Sequence, residues 1–135
     1  MDNEQFQSAL MHWQQEFRDD QEMNSVFNLL EEFDYRTDAV LNYLVNKQQK
    51  GKFKGKVSSE VSKLVEKVKE EVTVSIRERI CPIIAKNSTR KDLTVTLFSE
   101  LLAIIQEHFG KEYSSPLITG LAIYMFHIGI DKFCI

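Results

Sequence analysis

Each of the three histidines in this 135-residue sequence is followed four positions later by an acidic residue. On an α-helix, residues four apart share a face, so each pair would place an imidazole beside a carboxylate. The pairs are His12 with Glu16, His108 with Glu112, and His127 with Asp131. Iron sites inside helical bundles use a Glu-x-x-His spacing instead, and that spacing is absent from this sequence. We therefore expect no metal site and no cofactor.

Sequence patterns of the common catalytic sites are also missing. The sequence has no GxSxG nucleophile elbow, Walker loop, GxGxxG turn or HExxH zinc motif. Cys81 and Cys134 lie far apart without a CxxC spacing, and we expect both to be free thiols in a reducing cytoplasm. The sequence thus favours a protein that is not an enzyme.

A short basic segment is the first candidate binding site. Residues 47–56 contain five lysines and a single apolar residue, Phe53. The lysines are Lys47, Lys50, Lys52, Lys54 and Lys56. They suit phosphates of a nucleic acid or an anionic surface, but the same composition is typical of a solvated tether. Because the chain as a whole has a net charge of −3, we favour the tether and keep anion binding as the alternative.

An apolar segment near the C-terminus contains the second candidate site. Residues 117–130, LITGLAIYMFHIGI, are too few to span a membrane, which needs about 20 apolar residues, so we expect a buried helix. The least apolar stripe of this helix consists of Gly120, Tyr124, His127 and Asp131. Glycine lets another backbone approach closely, and aromatic and polar neighbours suit an interface. We predict that this stripe binds a partner or a second copy; the alternative is an ordinary water-facing surface.

Charge divides the chain into three parts. Residues 1–46 carry ten acids against two arginines, residues 47–86 carry eleven bases against five acids, and the remainder is nearly balanced. The acidic part shows helical spacing of apolar residues in three places, beginning with Phe6, Leu10, Trp13 and Phe17. Two shorter patterns follow around 23–33 and 40–45, with Thr37 or Asp38 as a cap. We predict a small three-helix unit at 1–46 and a flexible basic linker at 47–56.

The third predicted unit, residues 57–135, should contain three longer helices. Apolar residues at steps of three and four run from Val57 to Ile80, where Pro82 should end or kink the helix. A second helix should follow a Thr89-x-x-Asp92 cap and end at Gly110, and a third should open at Ser115 and Pro116 and run to about Lys132. Two β-branched stretches within these patterns, 72–76 and 93–97, would also suit strands.

The predicted fold is therefore an all-α helical bundle of two three-helix units, with an α+β fold as the alternative. For function, these patterns favour a cytoplasmic, non-catalytic interaction or adaptor protein that binds partners, or itself, through helical surfaces. Binding of nucleic acid or an anionic surface by the lysine segment is the second hypothesis. Whether the two units pack together is not determined by these patterns.

Overall fold

The computed structural model describes residues 3–48, 57–86 and 93–134. Every regular element in these ranges is helical, which confirms the predicted all-α class. The α+β alternative is wrong, because 72–76 and 93–97 both lie within helices. Burial gives the reason: Val72 and Ile76 are fully buried, whereas Val74 between them is 63% exposed. A strand would have placed all three on one face.

Over the described ranges the chain forms seven α-helices followed by a 3-10 helix. The α-helices are α1 (Asn3–Glu16), α2 (Gln21–Glu32), α3 (Thr37–Gln48), α4 (Val57–Arg79), α5 (Cys81–Lys86), α6 (Leu93–Phe109) and α7 (Ser115–Gly129), and the 3-10 helix is Ile130–Cys134. The break expected at Pro82 falls between α4 and α5. The cap of α7 is one residue earlier than predicted, because the hydroxyl of Ser114 accepts the amide of Leu117 at 3.4 Å.

The helix α7 lies at the centre of the fold. It packs against α2, α3 and α6, and ten of its residues are buried, from Leu117 to Gly129. A helix surrounded in this way can be apolar on nearly every face, which explains its long uncharged sequence. None of the described helices is long and apolar enough to cross a membrane.

The N-terminal helices and the later helices share one hydrophobic core, which answers the question that the sequence left open. Trp13 of α1 is completely buried and stacks on Phe98 of α6, with ring centroids 4.3 Å apart. The same indole meets the edge of Phe126 in α7 at 4.9 Å. Trp13 Nε1 also donates a hydrogen bond of 3.1 Å to the carbonyl oxygen of Thr94. One aromatic side chain therefore joins α1 to both α6 and α7.

The two cysteines form a disulfide, so the expectation of free thiols is wrong. Cys81 is the first residue of α5. The 3-10 helix after α7 packs against α4 and α5, and this places Cys134 beside Cys81. The Cα atoms of the two residues are 5.5 Å apart, within the usual range for a disulfide. Their separation of 53 residues hid this proximity in the sequence.

Candidate functional site

Gly120, the first residue of the predicted binding stripe, lies inside the protein. A Cβ atom at this position would lie 2.6 Å from Cδ1 of Leu44 and 3.8 Å from Cδ1 of Leu41, both in α3. The close approach that the glycine permits is thus made by α3 of the same chain. This corrects the expectation that Gly120 offers a surface to a partner.

We expect Gly120→Leu to lower the free energy of unfolding by about 2–3 kcal/mol, because a branched side chain must displace Leu44 in a packed interior. Gly120→Ala should change it by less than about 1 kcal/mol, since the tip of Leu44 can rotate and alanine favours the helix. Urea unfolding followed by circular dichroism measures both. Equal stability of the leucine variant and the wild type would contradict this packing.

Tyr124 and His127, the next residues of the stripe, are partly exposed and lie beside α1 and the start of α3. The imidazole Nδ1 of His127 lies 2.8 Å from the hydroxyl of Thr37, which is buried. The ring also stacks on Phe6 of α1, with centroids 4.1 Å apart and planes inclined by 23°. The fourth residue, Asp131, belongs to the 3-10 helix, and its side chain lies outside the described part of the structure.

A groove of about 430 Å³ opens where these residues meet α1 and the turn between α2 and α3. Its lining residues come from these three parts of the chain: Phe6, Gln7, Asp34, Tyr35, Arg36, Thr37, Asp38, Tyr124, His127 and Ile128. Apolar and aromatic side chains form much of the wall, and charged residues of the turn lie at its rim. A concave, partly apolar site with a few polar groups is the usual form of a binding site.

The turn at the rim has an unusual backbone. Asp34 and Tyr35 are consecutive non-glycine residues with φ angles of 57° and 61°, in the left-handed region. Each such residue costs about 1–2 kcal/mol relative to a right-handed conformation. Hydrogen bonds from Asp34 N to Glu31 O at 3.2 Å and from Tyr35 N to Leu30 O at 2.7 Å hold the turn in place. Strain of this kind is often retained where a side chain must be held in one orientation for binding.

Burial lowers the pKa of His127 below its ordinary value, while the carboxylate of Asp38 acts in the opposite direction. The neutral form of the ring is therefore favoured at pH 7.

Stability should consequently depend on pH through His127. At a pH above about 6.5, the pKa of histidine in the unfolded chain, the ring is neutral in both the folded and the unfolded state. The free energy of unfolding then does not depend on this group. As the pH falls from there to the lower folded pKa, the unfolded chain binds a proton that the folded chain does not, and the free energy of unfolding decreases. Proton NMR titration of the imidazole measures the folded pKa. His127→Asn should remove this component and His12→Gln should keep it; a His127 pKa above 6.5 would contradict the prediction.

The other two histidine pairs lie away from the groove. His12 is exposed on α1, and His108 Nε2 lies 3.3 Å from the hydroxyl of Ser75. Glu112 forms an ion pair of 3.4 Å with Lys67. Among the residues that the structure describes, no three His, Cys, Asp or Glu side chains come together as a metal site would require. That this protein has no metal site remains a prediction from the sequence.

Of the predicted anion-binding lysines, Lys47 is described and the other four are not. Lys50, Lys52, Lys54 and Lys56 lie outside the described residues, whereas Lys47 is exposed in the last turn of α3. Lys47 lines a second cavity of about 370 Å³, together with Ser25, Leu29, Tyr43, Leu44, Ser114 and Pro116. This cavity contains one cationic group and hydroxyl groups, but its wall is largely apolar.

The sequence located only the α7 part of the groove. Tyr124 and His127 belonged to the predicted stripe. The sequence did not predict that α1, the turn at 34–36 and the start of α3 also line the groove. The signal that could have revealed the turn is the charged stretch Asp34-Tyr35-Arg36-Thr37-Asp38 between two short predicted helices, which contains no glycine. Polar residues in a short helical connection do not normally indicate a site, because most such turns simply face water.

Comparison with known proteins finds no matching family model, curated protein or solved structure.

Proposed function

We propose that this chain is a non-catalytic protein–protein interaction module, an adaptor that binds a segment of a partner protein in the groove between α1, the α2–α3 turn and α7. The observation that supports this is the groove itself, where the partly exposed Tyr124 and His127 lie beside the turn at 34–36 and the start of α3. An extended or helical peptide fits such a site, because the groove is lined by side chains of α1, of the α2–α3 turn with the start of α3, and of α7.

Two variants of α1 test this proposal. Gln7 is exposed and lines the groove, so Gln7→Trp should fill it, whereas Gln15→Trp adds the same side chain to an exposed position of α1 outside the lining. Peptides selected from a random library on the wild-type protein are then measured by isothermal calorimetry. We expect at least about tenfold weaker binding to Gln7→Trp and unchanged binding to Gln15→Trp. Peptides whose affinity is unchanged by Gln7→Trp, or a selection that yields no binding peptide, would contradict the proposal.

Self-association is a further part of the same proposal, with a second copy as the occupant of the groove. Light scattering after size exclusion, over a hundredfold range of concentration, should then show an assembly that Gln7→Trp dissociates and Gln15→Trp does not. A monomer at every concentration would contradict self-association. The groove would then bind a different protein.

A cytoplasmic location is also proposed, with one condition. Disulfides persist in oxidising compartments and are rare in a reducing cytoplasm. In a reducing cytoplasm Cys81 and Cys134 would therefore be two free thiols. Alkylation of intact cells followed by mass spectrometry distinguishes the two states. Two alkylated cysteines support the cytoplasmic proposal, and a protected disulfide points to an oxidising compartment.

Binding of nucleic acid or an anionic surface through residues 47–56 is the second candidate. Its supporting observation is the exposed Lys47 beside the cavity that Ser25 and Ser114 also line. Replacing the five lysines of that segment by alanine should abolish retention on heparin. A control with the same loss of charge replaces Lys63, Lys69, Lys86, Lys111 and Lys132 instead. Equal loss of retention in both variants would indicate net charge and not a site.

A further inference from the structure

The groove rim carries more negative than positive charge. Its charged lining residues are Asp34, Arg36 and Asp38. Arg36 and Asp38 approach each other at 3.6 Å, but their side chains are 68% and 62% exposed, so this ion pair is weak and can be replaced. The wider setting has the same sign, because the described residues 3–48 contain nine acidic and three basic side chains. A partner that approaches from solvent therefore meets a negative field.

The α7 side of the groove does not offset this charge. It contributes Tyr124, His127 and Ile128, of which only His127 can carry a positive charge. Burial lowers the pKa of that imidazole and so favours its neutral form. Among the described residues, the groups close to His127 include the hydroxyl of Thr37, the ring of Phe6 and the carboxylate of Asp38.

Phe6, Tyr35 and Tyr124 give the groove an aromatic part of its lining. Tyr35, in the strained turn, and Tyr124, on α7, are both partly exposed and line the groove, while Phe6 is 1% exposed beneath them. Aromatic faces attract cations, and they also cover the methylene stem of a long basic side chain. An acidic side chain would gain neither interaction and would be repelled by the rim.

We infer that the partner segment inserts a lysine or arginine side chain into this groove, with its stem against Tyr35 and Tyr124 and its cationic head at the carboxylates of Asp34 and Asp38. This inference rests on the proposed function and adds the chemical class of the partner. In the free protein Arg36 pairs with Asp38, and the partner's cation replaces Arg36 in this ion pair.

The chain offers a conservative way to remove the rim charge. Asparagine tolerates the left-handed conformation at least as well as aspartate, so Asp34→Asn preserves the turn. Asp38 Oδ1 accepts the amide of Ala39 at 2.9 Å, and an asparagine oxygen can do the same. The double variant Asp34→Asn/Asp38→Asn therefore removes two charges with little change of shape. Asp19→Asn/Glu22→Gln removes two charges at the opposite end of α2 and is the matched control.

The experiment uses the full chain and a groove-dependent peptide from the selection described above, together with a copy in which its basic residue is replaced by norleucine. For the wild type and the control variant, we expect norleucine to weaken binding about tenfold. For Asp34→Asn/Asp38→Asn the same replacement should cost about twofold or less, because the charge that it meets has been removed.

Failure of the inference can be told apart from failure of the proposed function. If peptides bind in the groove, as shown by their loss on Gln7→Trp, but contain no basic residue or bind equally well with norleucine, the cationic inference is overturned and the interaction module stands. If the norleucine penalty is the same in Asp34→Asn/Asp38→Asn as in the wild type, the carboxylates are not the acceptors and the inference also fails. If no peptide depends on the groove, both are overturned.

Discussion

Reduction of the Cys81–Cys134 disulfide should lower the free energy of unfolding by up to about 4 kcal/mol. The bond closes a loop of 53 residues, and a loop of that length removes roughly this much conformational freedom from the unfolded chain. It also fixes the 3-10 helix, in which Ile130 is buried and Phe133 packs partly against the core. A hydrogen bond of 3.2 Å from Arg77 Nε to the carbonyl oxygen of Phe133 also joins this helix to α4.

Urea unfolding with and without a phosphine reductant measures this effect, and the variant Cys81→Ser/Cys134→Ser is the control. The wild type under reducing conditions and the variant under either condition should have the same midpoint. Hydrogen exchange should quicken first in the 3-10 helix, since the core contacts of α3 with α7 do not involve the cysteines. A loss below about 1 kcal/mol would contradict the argument from loop closure.

Truncation of Trp13 to alanine should destabilise the protein by about 4 kcal/mol, because a large buried aromatic side chain is removed. The indole is completely buried against Phe98 and Phe126, so its removal leaves a cavity between α1, α6 and α7. It also leaves the carbonyl of Thr94 without the indole donor. Trp13→Phe keeps part of the packing and loses the hydrogen bond, and should cost about 1–2 kcal/mol.

Trp13 is also the only tryptophan of the chain, so its fluorescence reports on this junction alone. If the N-terminal helices and the later helices unfold together, fluorescence and circular dichroism should give the same urea midpoint in the wild type. Two separate midpoints, or a Trp13→Ala variant as stable as the wild type, would show that α1–α3 unfold independently of the rest.

Local patterns predicted the helices well because each pattern lies within the element that it describes. Spacing of three and four residues located α4 and α6 despite their β-branched stretches, and Pro82 located the end of α4. The disulfide could not be predicted in this way. It depends on the path of α7 and the 3-10 helix back to Cys81, and no local pattern encodes a contact across 53 residues.

The candidate site was predicted in part for a related reason. A stripe of less apolar residues indicates a surface only when the helix has a side facing water, and α7 is enclosed by α2, α3 and α6. Gly120 is small because α3 lies against it, whereas Tyr124 and His127 emerge where the enclosure ends. The remaining walls of the groove come from Phe6 and from the turn at Asp34, about 90 residues or more earlier in the sequence.

The central position of α7 also has a consequence for how the protein is made. Among the described α-helices this one is synthesised last, although α2, α3 and α6 pack around it. At ribosomal rates of about 5–20 residues per second, roughly 5–20 seconds separate the appearance of α1 from that of α7. From their own synthesis until that of α7, Phe6, Leu41 and Leu44 lack the helix that covers them. The nascent chain should therefore depend on chaperones that shield apolar segments, and ribosome-stalled chains that end before α7 should be captured by them.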